Sequence, residues 1–141
     1  MKNLPVIFNN QHSDTHTVSA GLCQLRHDSR SKPLPHEQRY SLLKGCIRLL
    51  QENKDELCEA YSQDFGHRAH ASTLLSDILG SIEALKHSLS GLKKWSQDEP
   101  RESPFPDTCS YIQYRPLGVV GVMSPWNFPL VLTFGNKFWS Y

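Results

Sequence analysis

The spacing of apolar residues changes several times along the chain, and each spacing predicts a different element. Residues 1–18 are polar and show no sustained period, which predicts a loose leader. A short helix is expected over Val18–Asp28, and Pro33 and Pro35 mark the stretch Ser29–His36 as a linker. From Glu37 to about Phe65, Leu42, Leu43, Cys46, Ile47, Leu49, Leu50, Leu57, Cys58 and Tyr61 recur at intervals of three and four, as on an amphipathic helix. Gly66 is its expected stop. A second long helix is marked by Leu74, Leu75, Ile78, Leu79, Ile82, Leu85, Leu89 and Leu92, and should end near Trp95, before Pro100.

Beyond that point the pattern is no longer helical. Three prolines make Pro100–Asp107 an extended connector, and the β-branched and aromatic residues of Thr108–Tyr114 read as a strand. Leu117, Val119, Val120, Val122 and Met123, with Gly118 and Gly121 among them, form a continuous apolar run, as in a strand buried on both faces of a parallel sheet. Such a strand needs neighbours and long crossovers. The residues after Met123 are too few to build them, so the sheet is expected to be incomplete and the chain to be cut short.

Composition narrows the function classes. With 38% hydrophobic and 21% charged residues the chain resembles ordinary globular proteins rather than disordered ones. Fifteen Lys and Arg against fourteen Asp and Glu leave a net charge of +1, too little to attract nucleic acid or an anionic membrane. Basic and acidic residues are interspersed over Lys44–Glu59, as on a solvated helix face. Cys23, Cys46, Cys58 and Cys109 form no CxxC pair and are too sparse for a secreted disulfide scaffold, so free thiols in a reducing, cytoplasmic setting are expected. The apolar run Leu4–Phe8 is shorter than the ~7–15 residues of a signal-peptide core. Leu117–Met123 falls well short of the ~20 residues of a membrane-spanning helix.

Chemistry is expected directly after the apolar run. In Ser124-Pro125-Trp126-Asn127-Phe128-Pro129-Leu130 two prolines stiffen the backbone around an indole and a carboxamide. In open α/β sheets ligands bind beyond the carboxyl ends of strands, where this loop would stand. Taken alone, Trp126 reads as packing and Asn127 as a turn residue. Cys46 and Cys58 lie on an apolar stripe and read as packing. Asp64, His67 and His70 read as a surface turn rather than a metal site, because Gly66 interrupts the helix there.

The segment Pro116 to Leu130, with its Pro-Trp-Asn-Phe-Pro core, resembles the signature of the aldehyde dehydrogenase superfamily. Asp64-Phe65-Gly66-His67-Arg68 resembles another segment of that family, and the likeness spans roughly Leu22 to Gly135. With the wording around Arg30–Arg39, it is most similar to coniferyl-aldehyde dehydrogenases, although Ser72 stands where that pattern often has Glu.

The resemblance implies an α/β, Rossmann-type parallel sheet, with residues 19–141 as the amino-terminal part of the dehydrogenase domain. It implies oxidation of a small-molecule aldehyde with NAD or NADP. The reaction would run through thiohemiacetal formation, hydride transfer and thioester hydrolysis, and the intact family member would be a homo-oligomer. Asn127 then corresponds to the carboxamide that stabilises the oxyanion. Met123, Ser124, Pro125 and Trp126 correspond to residues on the cofactor side.

Asn136–Tyr141 departs from the resemblance, as after a frameshift or premature stop, and none of the four cysteines stands in a motif like that of the family's nucleophile. The chain alone is therefore expected to be inactive. The alternative is a non-catalytic helical interaction module that pairs through the Thr108–Tyr114 edge.

Overall fold

A computed structural model describes residues 15–31 and 34–135, which fall in two separate units divided at Pro33. Most of the predicted leader lies outside the described residues. The first unit contributes α1 (Thr15–Ser31), longer at both ends than the expected Val18–Asp28. Within it Gln24 Nε2 donates to Asp28 Oδ1 at 2.9 Å, an i,i+4 pair that supports the helix.

The second unit is mainly helical. Pro35 precedes α2 (His36–Glu52), where its fixed φ of −58° suits the turn into a helix and Glu37 complements the amino-terminal partial charge. The predicted helix to Phe65 is in fact two, because α2 ends at Asn53 and α3 (Lys54–Phe65) begins after it. At φ −108°, ψ 18°, Asn53 has left helical geometry, and its side-chain Nδ2 donates to the Leu49 carbonyl at 2.7 Å. A polar side chain that competes for backbone partners accounts for the break. Gly66, at φ 81°, ends α3 in the left-handed region, as expected of this glycine.

The second predicted helix runs without interruption from His70 to Trp95 but changes gauge. A short α4 (His70–Thr73) leads into a π-helical turn, Leu74–Leu79, and then α5 (Gly80–Trp95). It stops at Trp95, as the pattern predicts. α2 packs along α5. Leu43 and Leu50 from α2, Cys58 from α3, Ile78 from the π turn, and Ile82, Leu85 and Leu92 from α5 form the core. Leu42 and Leu49 point away and are exposed, so the buried face of α2 is narrower than its apolar content.

After α5, β1 (Glu99–Arg101) pairs antiparallel with β2 (Ser110–Ile112), Pro100 opposite Tyr111. The strand expected over Thr108–Tyr114 is thus present in shortened form. Part of the expected connector is its partner, with Pro100 tolerated because a two-stranded ribbon has only edges.

The main correction concerns Leu117–Met123, which forms no strand and is largely exposed, Leu117 at 67% and Met123 at 98%. A doubly buried strand is stabilised by hydrogen bonds and apolar cover from its neighbours, and the described residues supply neither. Among them the only sheet is the antiparallel pair, so no parallel Rossmann-type sheet is formed by the described residues. The chain returns to the helical core at α6 (Pro129–Phe134), where Val131 lies close against Gly80 at the start of α5.

Candidate functional site

The Ser124–Leu130 loop is held by residues that arrive from three different places in the second unit. α3 supplies Tyr61, the turn after Gly66 supplies Arg68, and the π turn supplies Asp77. Arg68 Nη2 donates to Asp77 Oδ2 at 2.8 Å in an ion pair whose carboxylate is completely buried and whose guanidinium side chain is 13% exposed. The same nitrogen reaches Ser76 Oγ at 3.1 Å. Arg68 Nη1 donates at 2.8 Å to the main-chain carbonyl of Asn127. The rings of Tyr61, Phe65 and Phe128 surround the guanidinium at 5.0–5.3 Å, within cation–π range.

The start of α6 is fixed by the same set. Its preceding residue, Phe128, has no polar side chain for capping, and Pro129 at the first position has no N–H to satisfy. The next two amides find partners on other elements. Leu130 N donates to Tyr61 Oη at 3.1 Å, and Val131 N donates to Asp77 Oδ1 at 3.3 Å. These two donors are therefore spent on the fold. Burial pushes the Tyr61 phenol up to about 12, while the hydrogen bond from Leu130 acts in the opposite sense. Tyr61 thus stays protonated and neutral across the physiological range.

The predicted site residues lie on this loop or, for Met123, just before it, and all but the half-buried Ser124 are exposed. Asn127 is exposed, and among the described residues its carboxamide makes no hydrogen bond. Trp126 is 85% exposed and Pro125 is exposed beside it. Ser124 Oγ and Thr133 Oγ1 share a hydrogen bond of 2.8 Å. Loop and α6 are thereby tied together. Met123 and Trp126 are the most exposed of these side chains, at 98% and 85%. A separate hollow of about 360 Å³ is lined by Lys94, Trp95, Gln97, Asp98, Glu99, Pro100 and Tyr114 and contains none of them.

Cys58 is buried and Cys46 half-buried, and burial pushes both thiols up, away from the thiolate that nucleophilic chemistry requires. His70 pairs with Glu59 at 3.4 Å, and among the described residues no group of His, Cys, Asp and Glu could hold a metal ion. No described helix is long and apolar enough to cross a membrane.

Sequence reasoning missed the Arg68–Asp77 pair and the role of Tyr61. One signal was present: Asp77 is a lone acidic residue inside the stripe Leu74, Leu75, Ile78, Leu79, and an acid in such a stripe needs a partner.

The sequence model described as "Aldehyde dehydrogenase family" matches residues 12–138. The match is wider than the likeness read from the motifs and continues three residues past Gly135, so resemblance does not stop where the sequence pattern placed its end. The chain is similar to coniferyl aldehyde dehydrogenase of Pseudomonas sp. (strain HR199 / DSM 7063), with 46% identity over 73% of this chain and 21% of that protein. It is also similar to probable coniferyl aldehyde dehydrogenase of Caulobacter vibrioides, with 41% identity over 74% of this chain and 23% of that protein. The dimeric NADP-preferring aldehyde dehydrogenase of Canis lupus familiaris is 29% identical over 72% of this chain and 23% of that protein. The chain therefore spans about a fifth of the length of the curated relatives it matches. No solved structure gives a significant match.

Proposed function

Since the chain belongs to the aldehyde dehydrogenase family, we propose that it supplies the oxyanion-binding and cofactor-facing loop of an NAD(P)-dependent oxidoreductase acting on coniferyl-type aldehydes. The observation that carries this reading is the Asn127 carboxamide, exposed and unpaired among the described residues, on a loop whose backbone is clamped at that residue. A preorganised N–H donor lowers the barrier because it need not reorient as negative charge develops on the carbonyl oxygen. Asn127 Nδ2 would donate to that oxygen after a cysteine thiolate adds to the aldehyde carbon.

Met123, Ser124, Pro125 and Trp126 would face one side of a nicotinamide cofactor, because Met123, Pro125 and Trp126 are exposed and the Trp126 indole offers a flat apolar face. When bound, NAD or NADP accepts the hydride. Leu130 N and Val131 N, already paired with Tyr61 and Asp77, are left out of its binding. On this reading residues 19–141 are the amino-terminal part of the dehydrogenase domain. Leu117–Met123 joins a parallel Rossmann-type sheet when neighbouring strands are supplied.

On this reading the chain by itself does not turn over, because burial holds Cys46 and Cys58 as thiols and none of the four cysteines stands in a motif like that of the family's nucleophile. The test replaces the corresponding segment of the Pseudomonas-type coniferyl aldehyde dehydrogenase with this chain and follows reduced nicotinamide. The chimera should oxidise coniferyl aldehyde, and Asn127→Ala should lower its kcat by roughly 10²–10³-fold. An Asn127→Ala chimera with undiminished kcat would overturn the assignment, and aldehyde oxidation by the isolated chain would overturn its inactivity.

A further inference from the structure

We propose that Arg68 is the positioning residue for Asn127, fixing where its carboxamide points by gripping its main chain. The functional half of this proposal rests on the reading of Asn127 as oxyanion donor; the geometric half does not. An asparagine side chain has only two torsions, so the direction of its amide is set chiefly by where its backbone is held. Here the backbone oxygen of Asn127 accepts from Arg68 Nη1 at 2.8 Å, while the other arm of the guanidinium is held by Asp77 Oδ2 at 2.8 Å and Ser76 Oγ at 3.1 Å.

Arg68 itself has little freedom. Its side chain is 13% exposed and the rings of Tyr61, Phe65 and Phe128 crowd its guanidinium. Phe128 is the residue after Asn127, so the loop grips Arg68 from two consecutive positions. Asp77 then takes Val131 N with its second oxygen, and Tyr61 takes Leu130 N. The loop is thus pinned at residues 127, 128, 130 and 131 by one cluster, while the Asn127 side chain is left outward. Arg68 touches no reacting atom in this arrangement and acts only through Asn127.

Guanidinium geometry is essential to this role. Arginine can donate along two arms of one rigid plane, whereas a lysine ammonium is a single point on a flexible stem. A clamp that merely needed positive charge beside Asp77 would accept Lys. A clamp that must reach Asp77 and Asn127 together will not.

The experiment compares the full 141-residue chain with its Arg68→Lys and Arg68→Met variants by ¹⁵N relaxation, reading the Asn127 backbone and carboxamide. In the parent chain the Asn127 backbone order parameter should be near ~0.85, and in both variants it should fall below ~0.6. The amides of Leu50 and Leu85 in the core should not change, which separates a loosened loop from a general loss of stability. If Arg68→Met fails to fold, Arg68→Lys alone decides. Unchanged order at Asn127 in the folded variants overturns the clamp, as does full rescue by Lys.

The chimeric dehydrogenase tests the functional half. Arg68→Lys should lower kcat roughly ten- to a hundredfold, as expected when a positioned group is misplaced, with KM for the aldehyde little changed. If Asn127→Ala abolishes turnover and Arg68→Lys leaves kcat intact, the positioning role fails and the donor role stands. If neither substitution alters kcat, the donor reading fails, whatever the relaxation data show.

Discussion

Replacing Asp77 with Asn removes one charge from the cluster at nearly constant volume, and the structure sets the size of the effect. Asp77 is completely buried and Arg68, its cationic partner among the described residues, is nearly so. Removing one member of a buried pair typically costs ~3–5 kcal/mol, because the remaining charge keeps its desolvation penalty and loses its compensation. Two features place Asp77→Asn at the lower end. Arg68 keeps the Asn127 carbonyl and three aromatic faces, and the amide oxygen of the new side chain can still accept from Val131 N.

The expected loss is therefore about 3 kcal/mol. Urea unfolding followed by circular dichroism would show it as a midpoint lowered by ~1–3 M, for slopes of ~1–3 kcal/mol per M. Glu83 provides the control, since its pair with Lys86 is equally short at 2.7 Å but has side chains 70% and 53% exposed. Glu83→Gln should cost less than about 1 kcal/mol, the usual range for exposed pairs. Equal losses for Asp77→Asn and Glu83→Gln would refute the argument that burial, rather than distance, gives the Arg68 pair its weight. In a double-mutant cycle with Arg68→Met the coupling should lie within ~0.5–3 kcal/mol.

Other consequences can be measured on the same chain. Leu85, fully buried at the centre of the core, should cost ~2–5 kcal/mol when cut to Ala, read as a urea-midpoint shift. The folded state holds the Tyr61 proton up to about pH 12, whereas an unfolded tyrosine releases it near ~10. Between those values the folded state binds more protons, so stability should fall as pH rises from 10 to 12, and Tyr61→Phe should flatten that part of the pH profile. Thiol labelling near pH 8 should modify exposed Cys23 and Cys109 first, with Cys46 and Cys58 reacting only slowly until urea is added. Uniform rates in the native chain would contradict the burial assigned to them.

What the sequence discloses depends on how local the cause is. The stripe from Leu74 to Leu92 and the stops at Gly66 and Trp95 were legible because a helix is specified by its own residues. The break at Asn53 was not, because apolar spacing resumes in phase on its far side and only the Asn53 side chain marks it. The π turn at Leu74–Leu79 was hidden for a related reason, since one widened turn leaves intervals of three and four nearly undisturbed. Leu117–Met123 reads as a strand because its residues suit one, but its pairing depends on neighbours the described residues do not provide. The proposal for Asn127 rests on a local motif that is read directly from the loop. Its support was out of reach, because the contacts from Arg68, Asp77 and Tyr61 span 59, 54 and 69 residues.

Those spans also bear on the order in which the chain takes shape. Synthesis proceeds from the amino terminus. Tyr61, Arg68 and Asp77 are therefore synthesised before Asn127, and the loop is the last of the four to arrive. Joining elements this distant in sequence carries a loop-closure cost that grows only slowly with length. An engineer who moves the Pro-Trp-Asn-Phe-Pro segment into another scaffold without these three residues transfers the letters and leaves the mould behind.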